Sequence, residues 1–207
     1  VERMERYAKR PPEFRSYDKR SAAEVAAANA QRAARRAKTE VRTRCKAMGL
    51  DTMLTLTYRA NQTDEALCKE HMKEFIRRLR VHLPAFVYVA AFERQKRGAW
   101  HVHLAVRRVQ SHLMVKGVRG KSYNLLRSVW RSVVGVLGGN VDISAKLKSS
   151  RKTGAQIASY ISKYMVKAYA EGEKYTKRYT CSRFRMPPRV MTFSRGQCLL
   201  DRVQALV

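Results

Sequence analysis

The stretch A-F-V-Y-V-A-A-F-E-R-Q-K-R-G-A-W-H-V-H-L-A-V, residues 85–106, decides the fold. Ala85 to Glu93 is rich in aromatic and β-branched side chains and reads as a buried strand. Trp100 to Val106 returns as a second strand, with its two histidines two residues apart. Only R-Q-K-R-G-A lies between them, and so tight a loop forces antiparallel neighbours. The expected class is therefore α+β, with a mainly antiparallel central sheet flanked by helices.

Working outward, M-L-T-L-T-Y (53–58) alternates as an earlier strand. Thr63-Asp64 opens a helix that ends near Leu79, with Leu67, Met72, Phe75, Ile76 and Leu79 apolar, and Pro84 breaks the chain. Ser122 to Val134 is helical; Gly138-Gly139-Asn140 turns into a strand, V-D-I-S-A-K-L (141–147). Thr153 to Tyr169 is a further helix, followed by an irregular, basic stretch. At the other end, Ser21 to about Met48 is rich in Ala, Arg and Lys without Gly or Pro, which predicts a long helix stopped by Gly49. Residues 1–20 contain Pro11-Pro12 and no periodicity, and read as a flexible lead-in. The division expected is a basic lead-in and helix over 1–50 and one catalytic domain over 51–207. A first residue of Val rather than Met is what a fragment would show, with flanking domains missing.

The chain has 207 residues, the size of one domain with an arm. Its 44 Lys and Arg against 16 Asp and Glu give a net charge of +28, while a 45% hydrophobic content excludes a disordered basic tail. Such a charge calls for a polyanionic partner, and nucleic acid fits because its phosphates bind spaced bases and release counterions. No apolar run approaches the ~18 residues of a membrane span, no signal peptide opens the chain, and no amphipathic helix with exposed aromatics suggests a membrane surface. Cys45, Cys68, Cys181 and Cys198 are scattered without a Cys-x-x-Cys pair, which argues against a zinc ribbon and for buried thiols in a reducing cytosol.

His101 and His103, at i and i+2 of a strand, share one face. Glu93 is the only acid between Phe75 and Val141. Simple hairpin register sets it opposite His101 and sets the small Ala91 opposite His103. Two imidazoles and a carboxylate suit a divalent cation acting on phosphate. Gln95 is an alternative oxygen donor without the charge, and Glu93 could instead merely balance Arg94 or Arg97. Tyr160 and Tyr164 in S-Y-I-S-K-Y-M-V-K (159–167) are four apart, hence on one helix face, with Lys163 and Lys167 nearby to grip phosphate. Tyrosines at this spacing also serve as ordinary packing residues. Taken with the histidines they outline a phosphodiester-cutting site: tyrosine attack leaves a phosphotyrosine that conserves the ester energy for rejoining, and a second tyrosine can attack next.

At this point the motifs resemble those of replication initiators of the HUH endonuclease superfamily, the nickases of rolling-circle replication. H-V-H (101–103) is similar to the superfamily's His-hydrophobic-His motif, Y-I-S-K-Y-M-V-K (160–167) resembles the two-tyrosine motif, and L-T-L-T-Y (54–58) resembles its first motif. E-R-Q-K-R-G-A-W-H-V-H (93–103) resembles the filamentous-phage version, and the order, histidines before tyrosines, resembles initiators rather than conjugative relaxases. The resemblance covers Met53 to Tyr169. It implies a small antiparallel sheet with H-V-H on a central strand, and Mg²⁺ or Mn²⁺ held by Glu93, His101 and His103. It also implies Tyr160 and Tyr164 as nucleophiles attaching to a 5′ end, with Lys163 assisting at the phosphate. The implied setting is the cytoplasm of a bacterial host, acting on origin single strands, linear or hairpin, with host helicase and polymerase.

Arg94 to Val141 carries ten Lys or Arg and no acid, and residues 145–190 carry twelve more. Arg94, Lys96, Arg97, Arg151, Lys152 and Lys167 are the expected DNA contacts, and Tyr169, Tyr175, Tyr179 and Phe184 could stack on bases or simply pack. The Ala/Arg-rich helix is either a solvated basic face or a duplex-binding element. The competing classes are a non-catalytic basic nucleic-acid-binding module and a one-tyrosine transposase of the same superfamily.

Overall fold

The computed structural model describes residues 21–115, 117–143, 154–171 and 179–186. Helix α1 spans Ala22–Ala47, β1 Thr52–Tyr58, α2 Glu65–His82, β2 Tyr88–Arg94 and β3 Trp100–Val106. A hairpin of β4 (His112–Val115) and β5 (Val118–Lys121) follows, then α3 (Ser122–Val134), β6 (Gly139–Ile143), α4 (Gly154–Glu171) and β7 (Tyr179–Cys181). The fold is α+β, as the hairpin implied. Five strands in the order β6-β1-β3-β2-β7 form one sheet, antiparallel at every step, and β3 with its histidines lies at its centre.

The helix ends follow local chemistry. Ser21 and Glu24 form a reciprocal capping box at the start of α1. Gly49, at φ +63°, accepts the left-handed turn that lets Leu50 N–H reach back to Cys45 O. Asp64 caps α2 by accepting from the amides of Ala66 and Leu67.

Both faces of the sheet are covered. On one, Leu54, Leu56, Tyr58, Phe92, Val102 and Leu104 pack under α2 and α3 around Phe75 and Trp130. On the other, Met53, Val89, Ala91 and Ala105 meet Ala37, Val41 and Cys45 of α1 and Ile157, Ala158 and Ile161 of α4. The Ala/Arg-rich helix is thus built into the second core by one stripe, while Arg35, Arg36, Arg42 and Lys46 stay exposed.

Several boundaries move. The strand expected from Ala85 starts at Tyr88, because the Leu83–Phe86 turn, closed by Phe86 N–H donating to Leu83 O, precedes it. The strand expected over 141–147 begins earlier, at Gly139, and its residues 144–147 lie outside the described residues, as does the lead-in at 1–20. Two elements were not anticipated: the β4–β5 hairpin, turning at Gly117 (φ +79°), and β7, a three-residue strand on β2 within the stretch read as irregular.

The thiols behave as the scattered spacing suggested. Cys45 and Cys68 are buried, and burial pushes their pKa values up to about 12 and about 11. Cys181 is half-buried, and Cys198 lies outside the described residues.

Candidate active site

The β2–β3 hairpin has the expected register, with Glu93 opposite His101 and Ala91 opposite His103. The carboxylate nevertheless reaches diagonally: His103 Nε2–H donates to Glu93 Oε2 at 2.8 Å. His103 is only 6% exposed, and its Nδ1 lies 3.2 Å from Thr55 Oγ1, since β1 pairs Thr55 with His103. His101 lies on the same face, its ring centroid 6.5 Å from that of His103. Its Nδ1 is 2.9 Å from the Gln95 side-chain nitrogen. Gln95 is itself fixed in the tight turn, where its backbone exchanges hydrogen bonds with Ala99 and Gly98. Burial, followed by the neighbouring His103 and Arg97, lowers the His101 pKa against the opposing pull of Glu93.

Helix α4 lays its tyrosines over this cluster. Ile157, Ala158 and Ile161 are buried against the sheet and α1, which turns the Tyr160/Tyr164 face toward β3. The Tyr164 ring stacks on His103 at 3.8 Å between centroids and 11° between planes. Its hydroxyl donates to the Tyr160 hydroxyl at 2.8 Å, and the two rings meet edge-on at 5.3 Å. Burial, the bond to Tyr160 and the charges of Tyr160 and Glu93 together raise the Tyr164 pKa. Tyr160 is the more open of the two, 38% exposed. Glu93, His101, His103, Tyr160 and Tyr164 are therefore brought together from three elements distant in sequence.

Lys163 is exposed on α4 between the tyrosines. Arg94, Lys96 and Arg97 are exposed at the β2–β3 turn beside Glu93. Arg151 and Lys152 lie outside the described residues, as do Tyr175 and the side chains of Lys167 and Tyr169. Tyr179 and Phe184, considered above for stacking on bases, pack against the second core.

Among the described residues no trio of His, Cys, Asp and Glu stands ready-arranged to hold a metal ion. Glu93 already occupies His103 Nε2, so a cation and the proton on that nitrogen compete for the same atoms. The donor set still fits a divalent ion. His101 Nε2 is buried and has no hydrogen-bond partner among the described residues, a costly state that a ligand would relieve. Thr55 is the contributor that sequence reasoning missed: its motif stands out in the chain, but its role depends on a strand pairing across 48 residues.

The family model for replication-associated proteins of the ORF2 type matches residues 51–169. The chain belongs to this family. The matched span of this replication-associated protein takes in every strand from β1 to β6 and α4 as far as Tyr169, including all five clustered residues, while α1 and β7 lie outside it. No curated protein and no solved structure matches the chain. No helix among the described residues is long and apolar enough to cross a membrane.

Proposed function

We propose that this replication-associated protein is a two-tyrosine HUH-type endonuclease that nicks and rejoins single-stranded DNA at a replication origin, initiating and ending rolling-circle synthesis. The observation that carries the reading is Tyr164 stacked on His103 while hydrogen-bonded to Tyr160, with Glu93 on the same imidazole. Packing alone would explain two tyrosines. It would not explain why they meet the one acid of a long basic stretch and a histidine pair.

In the reaction, a phenol oxygen of Tyr160 or Tyr164 attacks the scissile phosphorus. The new O–P bond forms as the bond to the 3′ oxygen breaks, leaving a 5′-phosphotyrosine and a free 3′ hydroxyl that takes up the proton. Reversal by another 3′ hydroxyl rejoins the strand, and the second tyrosine can accept a second end before the first is released. A phenol near its ordinary pKa of about 10 is scarcely ionised at neutral pH, so charge stabilisation at the phosphate is needed. Mg²⁺ or Mn²⁺ held by Glu93, His101 and His103 would polarise that phosphate and offset its added negative charge. Lys163, and the cations Arg94, Lys96 and Arg97 at the turn, hold the strand against the site.

Covalent capture tests this. Incubated with a pooled single-stranded DNA library, the protein is expected to give an adduct that survives boiling in detergent, with Mn²⁺ but not with EDTA. Tyr160→Phe plus Tyr164→Phe should remove the adduct, as should His101→Ala plus His103→Ala, with salt-sensitive DNA binding retained. Tight binding without any adduct from the wild-type protein would make it a non-catalytic binding module instead.

A further inference from the structure

Each histidine of the site is held at Nδ1 by a neutral side chain that can either donate or accept a hydrogen bond. Thr55 Oγ1 lies 3.2 Å from His103 Nδ1, and the Gln95 carboxamide lies 2.9 Å from His101 Nδ1. A hydroxyl does both by rotating, and a carboxamide does both by exchanging its oxygen and nitrogen ends. The two partners come from different elements, Thr55 from β1 and Gln95 from the turn after β2, yet they meet equivalent nitrogens. The opposite nitrogens face the other way, His103 Nε2 onto Glu93 and His101 Nε2 into a buried position with no partner among the described residues.

A neutral imidazole carries one N–H. While His103 Nε2–H donates to Glu93, Nδ1 is an acceptor and the Thr55 hydroxyl donates to it. For Nε2 to offer a lone pair, the same proton must reside on Nδ1, and Thr55 Oγ1 must accept it. At His101 the carboxamide with its nitrogen toward Nδ1 favours the proton on Nε2; with its oxygen there, the proton moves to Nδ1 and the buried Nε2 offers a lone pair. Ring nitrogens bound to metal are oriented in this way by what the other nitrogen donates to.

We propose that Thr55 and Gln95 are positioning residues that accept the Nδ1–H of His103 and His101, and so present both Nε2 atoms to a divalent cation. This rests on the metal-dependent reading above, and it gives the threonine of L-T-L-T-Y a physical task. Neither residue touches the DNA phosphate in this role; both act through the histidines.

The test is Mn²⁺ affinity of the 207-residue chain without DNA, from the electron paramagnetic resonance signal of free Mn²⁺, beside the melting temperature in EDTA. Thr55→Val and Gln95→Leu remove the acceptor at nearly constant volume and should each weaken Mn²⁺ binding about 10–100-fold. Their melting temperatures in EDTA should stay near wild type. Thr55→Ser and Gln95→Glu keep an acceptor and should retain the affinity, which a purely packing role would not predict for serine. If Thr55→Val fails to fold, Gln95→Leu at the turn decides. Unchanged affinity in the Val and Leu variants overturns the proposal, as does equal weakening in Thr55→Ser. No saturable Mn²⁺ binding by the wild type overturns the metal site itself, whereas the adduct assay reports independently whether the protein cuts DNA.

Discussion

A side chain at Gly139 would collide with the core: its Cβ would lie 2.5 Å from Trp130 Nε1 and 2.9 Å from Thr57 O. Those two atoms are joined by a 2.9 Å hydrogen bond from the indole, which ties α3 to β1. Gly139→Ala must therefore displace backbone or indole, at about 1–3 kcal/mol, read as a lower urea midpoint with unchanged slope. The sequence shows a Gly-Gly-Asn turn here; that glycine is required by an indole nine residues back becomes visible only once α3 lies on the sheet. Nearby, His71 Nδ1 lies 3.1 Å from the Tyr58 hydroxyl, and burial lowers the His71 pKa below its ordinary 6.5, with Glu70 opposing. As pH falls below about 6.5 the unfolded chain takes up a proton that the folded one resists, so stability is full above that value and is lost in acid. The loss of melting temperature from about pH 7.5 to 5.5 should shrink in His71→Gln; an equal loss would remove His71 as its source. His101, whose pKa is lowered too, leaves a residue of the same sign.

At the scale of elements, the tyrosines depend on a helix–helix seam that lies partly outside the family match. Ala37, Val41 and Cys45 of α1, one per turn, pack with Ile157, Ala158 and Ile161 of α4. Small residues on both sides let the helices approach, and this seat holds the tyrosine face above His103. Val41→Ala removes buried methyl groups and should cost about 2 kcal/mol. Because α4 is loosened, adduct formation should fall with it. Arg42→Ala, one residue along and exposed, should stay within about 0.5 kcal/mol of wild type. This seam was not legible in advance because an alanine-rich background mutes the helical period, leaving Val41 and Cys45 as isolated apolar points. The β2–β3 hairpin was legible, register included, because a tight turn leaves little choice. The diagonal reach of Glu93 to His103 was not, because side-chain direction is settled by the stacked Tyr164 and by neighbours from β1. Three- and four-residue strands such as β7 and β4 carry too little pattern to register at all.

Over the whole molecule, the acids are largely spoken for. Glu40, Glu65 and Glu74 each pair with bases about one turn along their own helix, and Glu93 is turned inward onto His103. A net charge of +28 is then left to an external polyanion. If single-stranded DNA is that partner, the logarithm of its binding constant should fall with the logarithm of salt concentration by about 0.7 per phosphate contacted. The site variants of His101 and His103 should leave this slope in place, since they remove chemistry and not cations. The turn beside Glu93 supplies the sharper discrimination: Arg94, Lys96 and Arg97 are exposed at the mouth of the site. Replacing all three with Gln should flatten the slope by about 2, three contacts at ~0.7 each, and weaken binding most at low salt. The sequence preference of whatever binding remains should not change, because phosphate contacts position a strand without reading its bases. A slope identical to wild type would mean that the strand enters the site by another face, and that the hairpin turn is basic for some other reason.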